Sequence, residues 1–235
     1  MKIITRRVSI LINEVFSVFH VDLNYALSLL REHNRDVTKQ EEERKKILFA
    51  ALDNIIDFVS AGENSMLLEI QQYLKEEDWL TCENIFEKYN KTYSKVEDQD
   101  VKYAALVASW WIGIPDNSII TYMTQGDERV RALHLSLEGI SYLKRDFPQE
   151  LIPPIDFGCR CYLLSNGFGT AYASLSTEYP KIVNKIFQES LAKGGRIFSK
   201  YHPYFQKKLI PEIEQINNLL KRKLMLDENN IRSIL

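Results

Sequence analysis

Apolar side chains recur at steps of three and four through the first hundred residues. Leu11, Val15, Phe19, Leu23, Ala26, Leu27 and Leu30 share one helical face, and the spacing predicts one amphipathic helix ending near His33-Asn34. A second helix opens at Thr38, where Thr38 and Glu41 have capping-box spacing; it continues through Ile47, Leu48, Ala51, Ile55, Phe58 and Val59 until Gly62 stops it. Shorter helices are predicted over 65–75 and 78–89. Ser94 with Glu97 reads as another capping box, opening a run through Tyr103, Val107, Trp110 and Trp111.

The pattern changes after Pro115. Residues 118–124 (SIITYMT) are rich in β-branched and aromatic side chains and read as a strand, followed by turn chemistry at Gln125-Gly126-Asp127. Val130, Leu133, Leu137 and Ile140 then predict a helix over 127–143, with Asp127 as N-cap and Gly139 interrupting or closing it. The prolines at 148, 153 and 154 demand an extended or turning loop that delivers the chain to a second short strand over 159–164. A helix carrying Ile182, Val183, Ile186, Phe187 and Leu191 is expected over 177–193, ending at Gly194-Gly195, and another from Pro211 through Ile213, Ile216, Leu219, Leu220 and Leu224. The fold class expected is α+β and predominantly helical. Its regions are an N-terminal helical part (1–114), a small α+β module with short strands (115–165) and a basic helical C-terminal part (166–235).

Composition narrows the class without naming a function. With 235 residues, 45% hydrophobic and 26% charged, the chain has the make-up of a soluble globular protein of one large or two small domains. A net charge of −2 excludes a uniformly basic nucleic-acid coat protein, and nine Gly with seven Pro argue against an all-β sandwich. The longest uncharged apolar run, 104–114, is about half of the roughly 20 residues a membrane span needs. No secretory signal is read at the N-terminus. Cys82, Cys159 and Cys161 cannot build a disulfide framework, which points to a reducing compartment.

Candidate chemistry gathers in 124–161. Arg131 and His134 share a helical face, Arg129 points elsewhere, and the proline loop can bring Cys159 and Cys161 back to that face. One imidazole and two thiols are three of the four ligands of a tetrahedral zinc site, with no obvious fourth. Cys-x-Cys on an extended strand points both sulfurs to one side. Two other readings stay open. His134 could hydrogen-bond a loop carbonyl while Arg129 or Arg131 pairs with Asp127 or Asp156 and the cysteines pack as small apolar residues. Alternatively, a cysteine thiolate and His134 could form a nucleophilic pair, although no oxyanion hole is evident. Gly167-Phe168-Gly169 lacks the rest of a phosphate loop or dinucleotide fingerprint.

The same segment, with Thr124, Asp127, Arg129, Val130, Arg131, His134, Leu137 and Gly139, then Pro154, then Phe157-Gly158-Cys159-Arg160-Cys161, resembles the signature of the phage Mu F-like family. These are the minor head or head morphogenesis proteins of tailed bacteriophages. The resemblance spans about forty residues and departs from the family pattern at Phe157, where Trp is more usual, and at Met123. It implies a structural or assembly component of the virion, not an enzyme. Such a component sits at the portal vertex or capsid interior, in several copies, with portal and capsid proteins and packaged double-stranded DNA as partners and the host cytoplasm as the place of assembly. It also implies zinc at His134, Cys159 and Cys161. Alternatives are a metal-dependent hydrolase or toxin-like effector using that cluster, and a nucleic-acid-binding protein. The last draws on an uneven charge distribution: residues 181–223 carry ten Lys/Arg against three Glu, and residues 69–100 four Lys against nine acids. Lys193, Arg196, Lys200, Lys207, Lys208, Lys221, Arg222 and Lys223 are the candidate DNA or partner contacts in the basic tail.

Overall fold

In the computed structural model, which describes residues 2–31, 38–165, 175–180 and 184–226, the N-terminal apolar stripe is divided between two helices. α1 (Lys2–Val18) buries Ile4, Val8, Leu11, Ile12 and Val15, and α2 (Leu23–Arg31) follows a break. The single helix expected from the spacing is interrupted because His20 takes a left-handed conformation, φ 53°. Asp22 then starts the new helix, its carboxylate accepting from the Tyr25 amide at 2.8 Å. The end expected at His33-Asn34 lies outside the described residues.

α3 (Lys39–Lys75) begins as its capping box predicts. Thr38 Oγ1 accepts from the Glu41 amide at 3.2 Å, and the Glu41 carboxylate accepts from the Thr38 amide at 2.9 Å. It does not stop at Gly62. The helices expected over 38–62 and 65–75 are one helix about 55 Å long, and the glycine serves close packing: a Cβ there would lie 3.1 Å from Tyr204 Cε2. α4 (Trp79–Glu87) is capped by Asp78 and runs through a π-helical turn, Lys88–Tyr93, directly into α5 (Ser94–Ile112). Ser94 and Glu97 therefore form no capping box. Ser94 Oγ donates to the Asn90 carbonyl at 2.7 Å, and Glu97 turns inward to accept from Arg7 and Tyr204 Oη, both at 2.8 Å.

The three-stranded antiparallel sheet has β1 (Ile119–Met123) between β2 (Ser141–Leu143) and β3 (Tyr162–Ser165). Ile120 and Tyr122 alternate into the core, as expected of a half-buried strand. The helix expected over 127–143 shrinks to one turn, α6 (Ala132–Leu135). Gly139, at φ 84°, turns the chain back so that its amide donates to the Tyr122 carbonyl at 2.8 Å, and residues 141–143 join the sheet instead. Leu133, an apolar position of the expected stripe, is exposed.

The helix expected over 177–193 is also corrected. From 184 to 210 the chain runs as turns, with 3-10 segments at Lys185–Phe187, Leu191–Lys193 and Pro203–Gln206, while 181–183 lie outside the described residues. Asn184 and Ser190 cap their own turns, offering the backbone partners that a continuous helix would have to replace. Two asparagines of α3 hold this segment. Asn54 Oδ1 accepts from the amides of Ile197 and Phe198 at 2.9 and 3.0 Å while its Nδ2 donates to the Phe198 carbonyl at 3.1 Å. Asn64 Oδ1 accepts from the Ile210 amide at 2.9 Å, and its Nδ2 donates to the Lys208 carbonyl at 3.1 Å. α7 (Pro211–Leu226) starts at Pro211 as expected and packs on α3, burying Ile213, Asn217, Leu220 and Leu224. The protein is a predominantly helical α+β fold, and one apolar cluster runs from Ile4 to Leu224 through all three regions. Among the described residues no helix is long and apolar enough to cross a membrane.

Candidate metal centre

The short helix α6 and the loop that follows bring His134, Cys159 and Cys161 together. α6 begins after an extended Arg131 and turns His134 inward, to 6% exposure. The returning loop contains the cis Pro153–Pro154 bond and Gly158 at φ 62°, a backbone shape suited to glycine, and sets both cysteines just ahead of β3. His134 Nδ1 lies 3.3 Å from Cys161 Sγ and 3.7 Å from Cys159 Sγ. One ligand atom from each of the three residues falls within 4.8 Å of the others, and all three side chains are buried. Such a group can hold a metal ion.

The surroundings orient it. His134 Nε2 faces Asp156 Oδ2 at 4.0 Å, and the same oxygen lies 3.5 Å from Arg131 Nε. Asp156 Oδ1 accepts from the Phe157 amide at 2.9 Å and from Asn184 Nδ2 at 3.0 Å, so the carboxylate is fixed. Arg131 Nη2 donates to the Phe157 carbonyl at 2.7 Å, tying α6 to the cysteine loop. From the other side α5 contributes two residues. The buried Asp100 carboxylate accepts from the Gly158 amide at 2.9 Å, and Tyr103 Oη donates to the Cys161 carbonyl. The Tyr122 hydroxyl from β1 is buried and has no hydrogen bond of good geometry among the described residues, although it lies beside the Cys161 sulfur.

The two thiols share a hydrogen bond and differ in acidity. Cys161 is drawn down to about 7, first by the Cys159 thiol acting as donor, against burial, and then by Tyr122, Arg131 and Arg160. Cys159 is pushed up, first by giving that hydrogen bond and then by burial. Burial pushes the Asp100 carboxyl up to about 8, with Cys159 and Asp156 adding to the effect and the Gly158 amide opposing it. A pair in which one sulfur is already inclined to the thiolate beside an imidazole is suited to metal ligation.

The remaining motif residues build the frame. Asp127 caps no helix; it accepts from Arg160 Nη1 at 2.8 Å and Nη2 at 2.6 Å, while its Oδ1 also accepts from the Arg129 amide at 3.1 Å. The Arg129 side chain stays exposed. Gly139 and Gly158 supply positive-φ turns, and Pro154 lies in the cis bond. Cys82 is buried, away from this cluster. Asp100, Tyr103 and Tyr122 were not legible as site residues, yet one signal existed: Glu97 and Asp100 place two acids on the apolar face of α5 that carries Ala104, Val107 and Trp111.

The basic tail is not one free face. Arg196 pairs with Asp57 at 2.5 Å, and Lys221 pairs with Asp53 at 2.6 Å and Asp57 at 2.9 Å, so α3 acids neutralise both. Arg222 Nε donates to the Asn218 carbonyl at 3.4 Å, and the Lys200 ammonium lies 5.5 Å from the Tyr201 ring centroid. Lys207 lies near Glu69, Lys208 is held by its carbonyl, and Lys223 is in the last turn of α7. Lys193 lies over Trp111 at 5.6 Å.

No family model matches the chain, and no solved structure matches it. A stretch of 45 residues, 19% of the chain, is 44% identical to an uncharacterised protein of Methanocaldococcus jannaschii and spans 7% of that protein's length. The match brings no activity, substrate or partner with it.

Proposed function

We propose that the protein is a Mu F-like head morphogenesis protein of a tailed bacteriophage, a structural component at the portal vertex or in the capsid interior, whose 115–165 module is closed by zinc on His134, Cys159 and Cys161. The observation that carries this reading is the convergence of the motif. Arg131, Asp156 and Gly158 gather around the buried His134, Cys159 and Cys161, although His134 and Cys161 are 27 positions apart. A sequence signature that folds into its own cross-link is expected of a module kept for its shape.

Zinc suits two thiolates and an imidazole, and metal–ligand bonds of about 2.0–2.3 Å separate nitrogen and sulfur ligands by about 3.5 Å. The separations of 3.3 and 3.7 Å bracket that value. His134 presents Nδ1 to the sulfurs and Nε2 to Asp156, the carboxylate–histidine arrangement that orients a ligating imidazole. When bound, the ion joins α6 to the strand-leading loop. The residues around it fix the ring, hold the Gly158 turn and exclude water. Portal and capsid proteins are the partners this reading implies, with packaged DNA a further one.

Purified particles of a phage encoding this chain, analysed by mass spectrometry, test the reading. The protein co-purifying with portal and capsid subunits at a constant ratio is the expected result; its absence from intact particles overturns it.

A further inference from the structure

A separate cavity of about 220 Å³ opens between the first turns of α3, the end of α5 and the turn at 191–194. Its walls carry Lys46, Lys144, Arg145 and Lys193 against Glu43 and Asp116, four cations to two acids drawn from three distant parts of the chain, with Arg145 also paired to Asp146 at 3.4 Å. One of the acids is already engaged: Asp116 accepts from Lys39 at 2.7 Å and lies 3.5 Å from Lys144. The Lys144 ammonium is buried and fixed by donating to the Ile114 carbonyl at 2.6 Å. Lys144 and Lys193 both face Trp111, at 5.5 and 5.6 Å from its ring centroid, so two ammonium groups are gathered about one indole. Among the described residues neither Lys46 nor Lys193 has a carboxylate within ion-pair distance. Gly194, at φ 75°, lets the Lys46 stem cross the turn; a Cβ there would lie 2.6 Å from Lys46 Cε.

Like charges collected around a half-enclosed space repel one another, and an anion between them removes that cost. Burial, with Lys144 contributing, draws the Lys193 ammonium below its ordinary range, against the pull of Asp146, Asp116 and Glu150. The metal centre uses none of these residues, and of them only Lys193 belongs to the basic tail singled out in the sequence. We propose that this cavity binds a phosphate group. Its volume is below the roughly 300–1,000 Å³ of small-molecule pockets, which suits one phosphoryl group and not a whole nucleotide. A neighbouring cavity of about 670 Å³, sharing Glu43, Lys46 and Gly194, gives room for whatever carries that group. The phosphate belongs either to a small ester or to a nucleic-acid backbone.

The test titrates the full chain with inorganic phosphate in a phosphate-free chloride buffer, followed by calorimetry, and repeats it with Lys193→Gln. Saturable binding to the native chain, weakened at least tenfold in the variant with an unchanged melting temperature, is the expected result. Should Lys193→Gln not fold, Lys46→Gln and Arg145→Gln, both at exposed side chains, give the same readout. Glycerol phosphate and a short DNA duplex then separate the sources. Duplex binding competed by inorganic phosphate and weakened by the same variants assigns the backbone, and binding of the monoester alone assigns a small ester. No saturable phosphate binding to the native chain, or binding that all three variants leave unchanged, overturns the proposal.

Discussion

His134 Nδ1 lies 3.3 Å from Cys161 Sγ, and the other ring nitrogen of the same histidine faces Asp156 at 4.0 Å. The imidazole is thus held between a sulfur it can join through a metal and a carboxylate that sets its orientation. Asp156→Asn keeps an acceptor for the Phe157 amide and Asn184 Nδ2 and removes the charge behind the ring. Outer-shell changes of this kind weaken metal affinity by about 10–100-fold. Competition with a chromophoric chelator measures it; an unchanged affinity contradicts the orienting role.

Asn54 is the main tether of the irregular segment that covers α3. Replacing it with Ala removes three hydrogen bonds and leaves the Ile197 and Phe198 amides buried without partners. With each orphaned group worth about 1–3 kcal/mol, Asn54→Ala is expected to destabilise the protein by about 3 kcal/mol in urea unfolding. A loss below about 1 kcal/mol contradicts this account of how 184–210 is held.

That tether also marks where sequence reading stops. Elements specified by neighbours in the chain were legible: the Thr38–Glu41 capping box, the strand at 119–123, the Gly126 turn and the helix from Pro211. Elements decided by distant partners were not. Gly62 reads as a stop until Tyr204 is seen against it, and the apolar spacing at 186–191 reads as helix until Asn54 is seen capturing the following backbone. The candidate site divides in the same way. Residue types and spacing brought His134, Cys159 and Cys161 forward, whereas Asp100, Tyr103 and Tyr122 join them only through packing of α5 and β1. The phosphate cavity has no linear signature, because Lys46, Lys144 and Lys193 come from three separate segments.

Gly62 supports a specific sign. Glycine to alanine inside a helix ordinarily stabilises by about 1 kcal/mol. Here the added methyl meets the Tyr204 ring at 3.1 Å, and Tyr204 is held by its hydroxyl on Glu97 and by the packed rings of Phe58 and His202. Overpacking of about 1–3 kcal/mol outweighs the propensity gain, so Gly62→Ala is expected to lower stability by about 1 kcal/mol. A rise in melting temperature contradicts the close approach.

Burial draws the His202 imidazole from 6.5 down to about 4, and its Nδ1 accepts from the Tyr204 amide at 3.2 Å. The unfolded chain takes up a proton below pH 6.5 while the folded chain resists until about 4. The stability contributed by the neutral ring is therefore complete above pH 6.5 and lost as pH falls toward 4, by about 3 kcal/mol in all. His202→Asn retains an acceptor for that amide but does not titrate. It lowers stability at pH 7 through lost ring packing, and its deficit against the native chain shrinks by about 3 kcal/mol by pH 4. Parallel pH curves for the two proteins contradict the assignment.

If His134, Cys159 and Cys161 close one structural module around a metal ion, as proposed, the purified protein carries that ion. Elemental analysis of the full chain purified without chelator, beside Cys159→Ser and Cys161→Ser, tests it most directly. About one zinc per native chain, far less in either variant, and a melting temperature that chelator lowers only in the native protein are the expected results. Well under one metal per native chain, with chelator leaving its melting temperature unchanged, contradicts it.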